Sequence, residues 1–143
     1  MRVIVALAMG LAVGCATNRN TVEYITRPNA PGPFSEAVRV GNIVFLSGEI
    51  GLDYSTGRLV PGGIEAETRQ TLENIKGKLA RMGLTMDNVV KCTAMLADIA
   101  EWDAMNTIYR TYFPGPKPAR SAFGTSGLAR GARMELECIA AVP

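Results

Sequence analysis

A single long amphipathic stripe most limits what this chain can become. Ile64, Thr68, Leu72, Ile75, Leu79 and Met82 recur at three- and four-residue intervals, the spacing that puts side chains on one face of an α-helix. Gly83 follows, and glycine readily takes the left-handed conformation that closes a helix. The spacing predicts a helix over 64–82. Most of what surrounds it carries strand alternation or turn residues instead. Phe34 to Val40 alternates, Gly41-Asn42 is a tight-turn dipeptide, and Ile43 to Ile50 forms a second alternating run, so a β-hairpin is predicted. Asp53 to Gly63, rich in glycine and proline, reads as mostly loop around a short extended piece.

Val89 to Ala97 is apolar and β-branched at its start and reads as a buried strand. Asp98-Ile99-Ala100-Glu101 has the form of a capping box. It opens a second helix with Trp102, Met105, Tyr109 and Tyr112 as its apolar stripe, ended by Pro114, Pro116 and Pro118. Ser121 to Gly127 is a short strand candidate. Arg133 to Val142 alternates, with Met134, Leu136, Cys138 and Ala140 on one face and Glu135, Glu137, Ile139 and Ala141 on the other. The order β-β-(β)-α-β-α-β-β predicts an α+β sheet with helices packed on one face. Two helices cannot cover both faces, so the open face points to oligomerisation.

The 143 residues suit one domain, and an apolar content of 48% can build a core without disulfide or metal staples. A net charge of +2 with no basic run argues against a nucleic-acid partner. The chain has no histidine, which excludes histidine-based triads and the common zinc sites. Its three cysteines, Cys15, Cys92 and Cys138, fit no metal spacing, so no metal is expected. Cys92 and Cys138 sit in apolar strand-like contexts and read first as small buried hydrophobes. A disulfide between them stays open, because it needs neighbouring Cα atoms that sequence does not reveal.

The start of the chain differs in kind. After Met1-Arg2, Val3 to Gly14 is an uncharged run of twelve residues, short for a membrane span but suited to a signal-peptide core. Leu11-Ala12-Val13-Gly14-Cys15 resembles a bacterial lipobox, in which the cysteine is lipidated and becomes the new N-terminus. The expectation is a signal peptide over 1–14, a polar tether over 15–28 and a domain over 29–143. It places the protein outside the cytoplasm, in the periplasm, anchored to a membrane by lipid on Cys15. A plain secretory signal and an uncleaved extension are the alternatives.

Two residues stand out as chemistry. Arg120 follows Pro118-Ala119 at a strand start, and its planar fork matches a small organic carboxylate. Glu135 lies within an otherwise apolar strand, where a carboxyl tends to hold its proton and can act as a general acid or base. A structural ion pair for Arg120, and an exposed outer-face position for Glu135 beside Glu137, are the alternatives.

A series of ordered motifs then carries a resemblance. Asn29-Ala30-Pro31-Gly32-Pro33-Phe34-Ser35-Glu36-Ala37-Val38, Leu46-Ser47-Gly48-Glu49-Ile50 and Thr71-Leu72-Glu73-Asn74-Ile75 are followed by Asn106-Thr107-Ile108-Tyr109, Pro118-Ala119-Arg120-Ser121 and Glu135-Leu136-Glu137-Cys138-Ile139-Ala140. Together they resemble the Rid (YjgF-type) family over nearly everything after the tether. The resemblance implies a chorismate-mutase-like α+β fold and a homotrimer with ligand sites between subunits. It implies cofactor-free hydrolysis of 2-imino acids and their enamine tautomers, such as 2-aminoacrylate, to 2-keto acids and ammonia. It assigns Arg120 to the substrate carboxylate and Glu135 to water activation or proton transfer. Gly48 and Ala122 would orient the substrate through their backbones, with Ser47, Asn106 and Phe34 lining the pocket. Phe34 stands where many relatives have tyrosine, and Ala122 where cysteine is frequent. A non-catalytic module that binds a small carboxylate is the alternative function. Endoribonuclease activity, attributed to some relatives, finds no basic stripe or aromatic platform here.

Overall fold

The computed structural model of the protein describes residues 21–27 and 33–143. The expected signal peptide over 1–14, Cys15 and the first part of the expected tether lie outside the described residues, as do residues 28–32. Helix α1 (Gly63–Arg81) falls within a residue of the stripe that predicts it. Leu72, Ile75 and Leu79 are fully buried on its inner face. Gly83, at φ 72°, closes it: the Leu84 amide donates to the Leu79 carbonyl at 2.9 Å and the Gly83 amide to Ala80 at 3.1 Å, the paired bonds of a Schellman turn. Asp98 accepts from the Ala100 amide at 2.9 Å and starts a short 3-10 turn that leads into α2 (Trp102–Tyr109). The other half of the expected capping box does not form. The Glu101 carboxylate is drawn instead to the Arg133 guanidinium, because a charged fork competes better than a lone amide. Met105 and Tyr109 are buried as expected, but Trp102 is exposed and Ile108 takes a core place instead.

Among the described residues seven strands form the main sheet: β1 (Val22–Ile25), β2 (Ala37–Val40), β3 (Ile43–Leu46), β4 (Glu49–Ile50), β7 (Val89–Leu96), β8 (Ala119–Gly124) and β9 (Met134–Ala141). The order is β1-β2-β3-β9-β7-β8, with β4 also on β9. β5 (Leu52–Asp53) and β6 (Arg58–Leu59) make a separate small hairpin. Only β7 and β8 run parallel, joined through α2. Val22–Ile25, read from the sequence as tether, is an edge strand paired with β2. The strand expected over 34–40 is confined to its last four residues.

The strand expected over 43–50 is interrupted. Phe45 faces Ile139, but Glu49 faces Leu136. Four steps on one strand match three on the other, so Ser47-Gly48 form a bulged corner. Beyond it, Gly51 passes so close to α1 that a β-carbon there would lie 2.7 Å from the Cα of Glu67, a contact only glycine avoids. Alternation in β9 follows the sequence reading: Met134, Leu136, Cys138 and Ala140 are buried under the helices, while Glu135 and Glu137 face away. Among the described residues no element covers that second face, and Phe45 and Phe123 stay half-exposed there.

The cysteines depart from their first reading. Cys92 and Cys138 are direct partners on β7 and β9, both buried, and are joined as a disulfide. Strand pairing brings together side chains that are 46 residues apart in sequence, which spacing alone cannot show. Non-reducing peptide mapping is expected to recover one Cys92–Cys138 crosslinked peptide. Removing the bridge by Cys92→Ala/Cys138→Ala should destabilise the domain by about 2–4 kcal/mol in chemical denaturation. Two freely alkylated thiols in native oxidised protein would contradict the pairing.

Candidate active site

The sequence-selected residues gather in two places. The first is a cleft of about 530 Å³ beside the bulged corner, within the range of small-ligand pockets. Phe34, Gly48 and Glu135 line it, together with Glu49, Lys78 and Arg130. Gly48 lies directly beneath Glu135: a β-carbon at 48 would meet the Glu135 Oε1 at 2.0 Å. Phe34 stands exposed at the rim. Ser47 flanks the corner with its hydroxyl engaged, Oγ donating to the Ser35 carbonyl at 2.6 Å, so it shapes the wall more than it offers a free group. Burial pushes the Glu135 carboxyl above its ordinary value, helped by the Glu137 and Glu49 carboxylates and opposed by Lys78. Arg130 is the one non-glycine residue with positive φ among the described residues, at 59°. Its guanidinium donates to the Gly57 carbonyl at 2.9 Å, which ties the loop after β8 to the small hairpin.

The second place is the helix side of β8. Arg120 lies with its guanidinium 4.4 Å from the centre of the Tyr109 ring and 5.8 Å from that of Trp102, and Nη1 is 3.8 Å from Met105 Sδ. Such aromatic faces hold a cation without neutralising it. Among the described residues no carboxylate lies within 4.0 Å of it, so the ion-pair alternative is not realised there. Asn106, buried on α2, and Ala122, two residues along β8, belong to this side.

Arg120 and Glu135 do not meet within one chain. β7 separates their strands. Arg120 sits opposite Cys92, which faces the helices, and Glu135 opposite Met95, which faces away. The two side chains therefore point to opposite faces of the sheet. Sequence reasoning also missed a buried charge cluster. Lys78 Nζ is 2.5 Å from Glu49 Oε2, and both side chains are about 95% buried. Glu49 Oε1 accepts from Tyr54 Oη and from Asn74 Nδ2 at 3.4 Å. Arg27 stacks 3.7 Å over the Tyr54 ring and, with Arg81, binds Glu36. Burial and the Glu49 contact push the Tyr54 hydroxyl up to about 12. The available signal was position: Lys78 falls three residues after Ile75, on the apolar stripe of α1. Among the described residues no cluster of histidine, cysteine and carboxylate side chains could hold a metal ion.

Comparison with known proteins agrees with this architecture. The family model described as Endoribonuclease L-PSP matches residues 24–142. A Mus musculus protein named 2-iminobutanoate/2-iminopropanoate deaminase is 44% identical over 122 residues, 85% of this chain and 90% of that protein. Among solved structures, YyfA of Yersinia pestis, described as a member of the conserved Rid protein family, superposes with a TM-score of 0.80 at 40% identity, covering 85% of this chain and all of that one. E. coli TdcF with bound serine gives 0.78 at 28% identity, covering 85% and 100%. The α+β sheet with its two helices is thus the YjgF, chorismate-mutase-like fold, and the chain belongs to the Rid/YjgF family, whose matching model carries the Endoribonuclease L-PSP description.

Proposed function

We propose that the protein hydrolyses small 2-imino acids, and the enamines that tautomerise to them, to 2-keto acids and ammonia, in sites built where copies of the chain meet. The observation that carries this reading is 44% identity to a 2-iminobutanoate/2-iminopropanoate deaminase across 85% of the chain, with Arg120 and Glu135 both present. The serine held by TdcF supports a ligand of small amino-acid type.

The chemistry asks little of the protein. An imine carbon is already electrophilic, so a held substrate needs one water and one proton path. Arg120, ringed by aromatic faces and with no carboxylate at ion-pair distance among the described residues, pairs with the substrate carboxylate through its fork. Glu135 as carboxylate takes a proton from water as the oxygen bonds to C2 and passes it to the imine nitrogen, giving a carbinolamine; it then takes the proton of the new C2 hydroxyl and delivers it to the same nitrogen as the C–N bond breaks, the C2 carbonyl forms and ammonia leaves. Its elevated proton affinity, caused first by burial, suits both halves of that exchange. Because the two groups face opposite sides of the sheet, the complete constellation takes Arg120 from one copy and Glu135 from another. A homotrimer, its copies meeting over the half-exposed Phe45 and Phe123 face, is the assembly we favour.

We further propose an exported, lipid-anchored protein. The uncharged run before Cys15 and the Cys92–Cys138 disulfide support that reading together, since stable disulfides belong to oxidising compartments. The edge strand β1 starts at Val22, which leaves six residues between it and a lipidated Cys15. Growth with a labelled fatty acid should label the wild type and leave Cys15→Ala unlabelled; equal labelling of both would reject the anchor.

For the chemistry, 2-iminopropanoate generated by a companion enzyme should give keto acid faster with the wild type than without it. Arg120→Ala and Glu135→Gln should each lower kcat/KM by about a hundredfold or more. In the wild type the rate should climb with pH through the raised Glu135 value, and this limb should vanish in Glu135→Gln. Refolding the two inactive variants together should restore activity, because some mixed sites then regain both groups. Absence of any acceleration by the wild type would reject the deaminase reading, and failure of the mixture to recover would reject the shared site.

A further inference from the structure

The buried Lys78–Glu49 pair has no evident reason in stability. Lys78 occupies the inner face of α1, which Leu72, Ile75 and Leu79 otherwise fill with apolar side chains. Replacing a buried ion pair with apolar residues is often neutral or stabilising. What distinguishes this pair is its place. Lys78 Nζ binds Glu49 Oε2 at 2.5 Å and also reaches the Ser47 carbonyl at 3.4 Å. Those two residues bracket Gly48, and the Glu135 carboxylate rests against Gly48 with no room for a β-carbon. Asn74 secures the same corner, with Nδ2 donating to the Ile50 and Leu52 carbonyls at 3.2 and 2.9 Å as well as to Glu49. The corner is a bulge, with one residue too many for its partner strand, so strand pairing alone does not hold it.

We propose that Lys78 and Glu49 are positioning residues for Glu135: anchored in α1 and β4, the pair locks the Ser47–Glu49 corner against which the Glu135 carboxylate is seated. This rests on Glu135 being the proton-transfer group of the deaminase reading, but the seating itself is a property of the chain. The pair also shapes the field at that carboxylate, where Glu49 raises its proton affinity and Lys78 lowers it. Glu137 on the same strand also raises it, and the other charges lining the cleft are Arg130 from the loop after β8, and Arg27 and Glu36 at the outer wall. Arg27 and Glu36 bind each other. Of the groups that act on Glu135, only Lys78 and Glu49 are both buried and joined to its backbone support.

The test compares the wild type with Glu49→Gln and Glu49→Gln/Lys78→Met in the intact protein. Glu49→Gln nearly preserves shape and can still accept from Tyr54, while the double variant removes both charges and so leaves none buried alone. Carbon-detected NMR of the Glu135 carboxyl, assigned by its loss in Glu135→Gln, follows its titration without substrate. Glu49→Gln should move the midpoint to lower pH, since a negative neighbour goes and the Lys78 cation stays. The double variant should move it back up. On turnover of 2-iminopropanoate, the double variant should lose about tenfold to a hundredfold in kcat with KM little changed, because misplacement of a reacting group costs that much and Arg120 still holds the substrate. Melting temperature and oligomeric size, unchanged within a few degrees, would show that the fold is kept. An unmoved Glu135 midpoint in both variants, or a folded double variant with wild-type kcat, would overturn the proposal. The expected midpoint shifts in the variants, together with a wild type that shows no turnover, would uphold the seating and reject the deaminase reading alone. Should the double variant fail to fold, Glu49→Gln by itself decides through the direction of its midpoint shift.

Discussion

Strand β9 is the constraint on which the structure depends. It pairs with β3, β4 and β7 and is locked to β7 by the Cys92–Cys138 bridge. Its alternation assigns opposite tasks to its two faces. Met134, Leu136, Cys138 and Ala140 are buried beneath the helices, while Glu135 and Glu137 are left on the other side. A one-residue slip would exchange those faces, exposing the core residues and burying the carboxylates. The disulfide, the bulge at Ser47-Gly48 and the apolar contacts with α1 all fix the same register. The seating of Glu135 therefore depends on the features that hold the core.

Under the proposed function, the same alternation makes a single copy of the chain chemically incomplete. Arg120 belongs to the helix side, cushioned by Tyr109 and Trp102; Glu135 belongs to the open side, over Gly48. A strand cannot send neighbouring functions to one face without a bulge, and the bulge here serves the Glu135 side. In the proposed assembly the division has a use: a site forms only where the helix side of one copy meets the open side of another, so turnover is confined to the assembled protein. The carboxylate brings a proton affinity raised by burial, and the guanidinium is held by rings that do not quench its charge.

Much of this was legible in the sequence wherever a period was long and uninterrupted. The stripe from Ile64 to Met82 located α1 to within a residue, and the alternation of 133–142 assigned both faces of β9. Where several local signals competed, the reading slipped. Glu101 had the spacing of a capping partner but is drawn to Arg133, a residue 32 positions away. Val22–Ile25 is short and flanked by polar residues, and it becomes a strand only because β2 offers an edge. The bulge is invisible in a run that alternates well from Ile43 onward, since its cause is the partner strand. Arg120 and Glu135 stand out from their local chemistry, Gly48 and Phe34 only through resemblance, and the chain's own geometry sorts the four into two groups. Lys78 was passed over because one charge on an apolar stripe looks like an exception to the helix, when its partner Glu49 lies 29 positions earlier in the sequence.

A chain without histidine or a metal-ligand spacing can still suit this reaction because imine hydrolysis starts from a reactive carbon and needs placement more than power. Placement is therefore where the sequence commits unusual residues: a glycine that admits a carboxylate, and a buried lysine and glutamate that hold its backbone. Such devices give up stability that apolar packing would supply, and the disulfide between β7 and β9 contributes in the opposite direction. In the proposed assembly a further share comes from association, which stabilises the folded chain by mass action. Covering the open sheet face and completing the active site are then one event, so a substitution that weakens contacts around Phe45 or Phe123 acts on turnover through assembly even though neither side chain touches the reacting atoms.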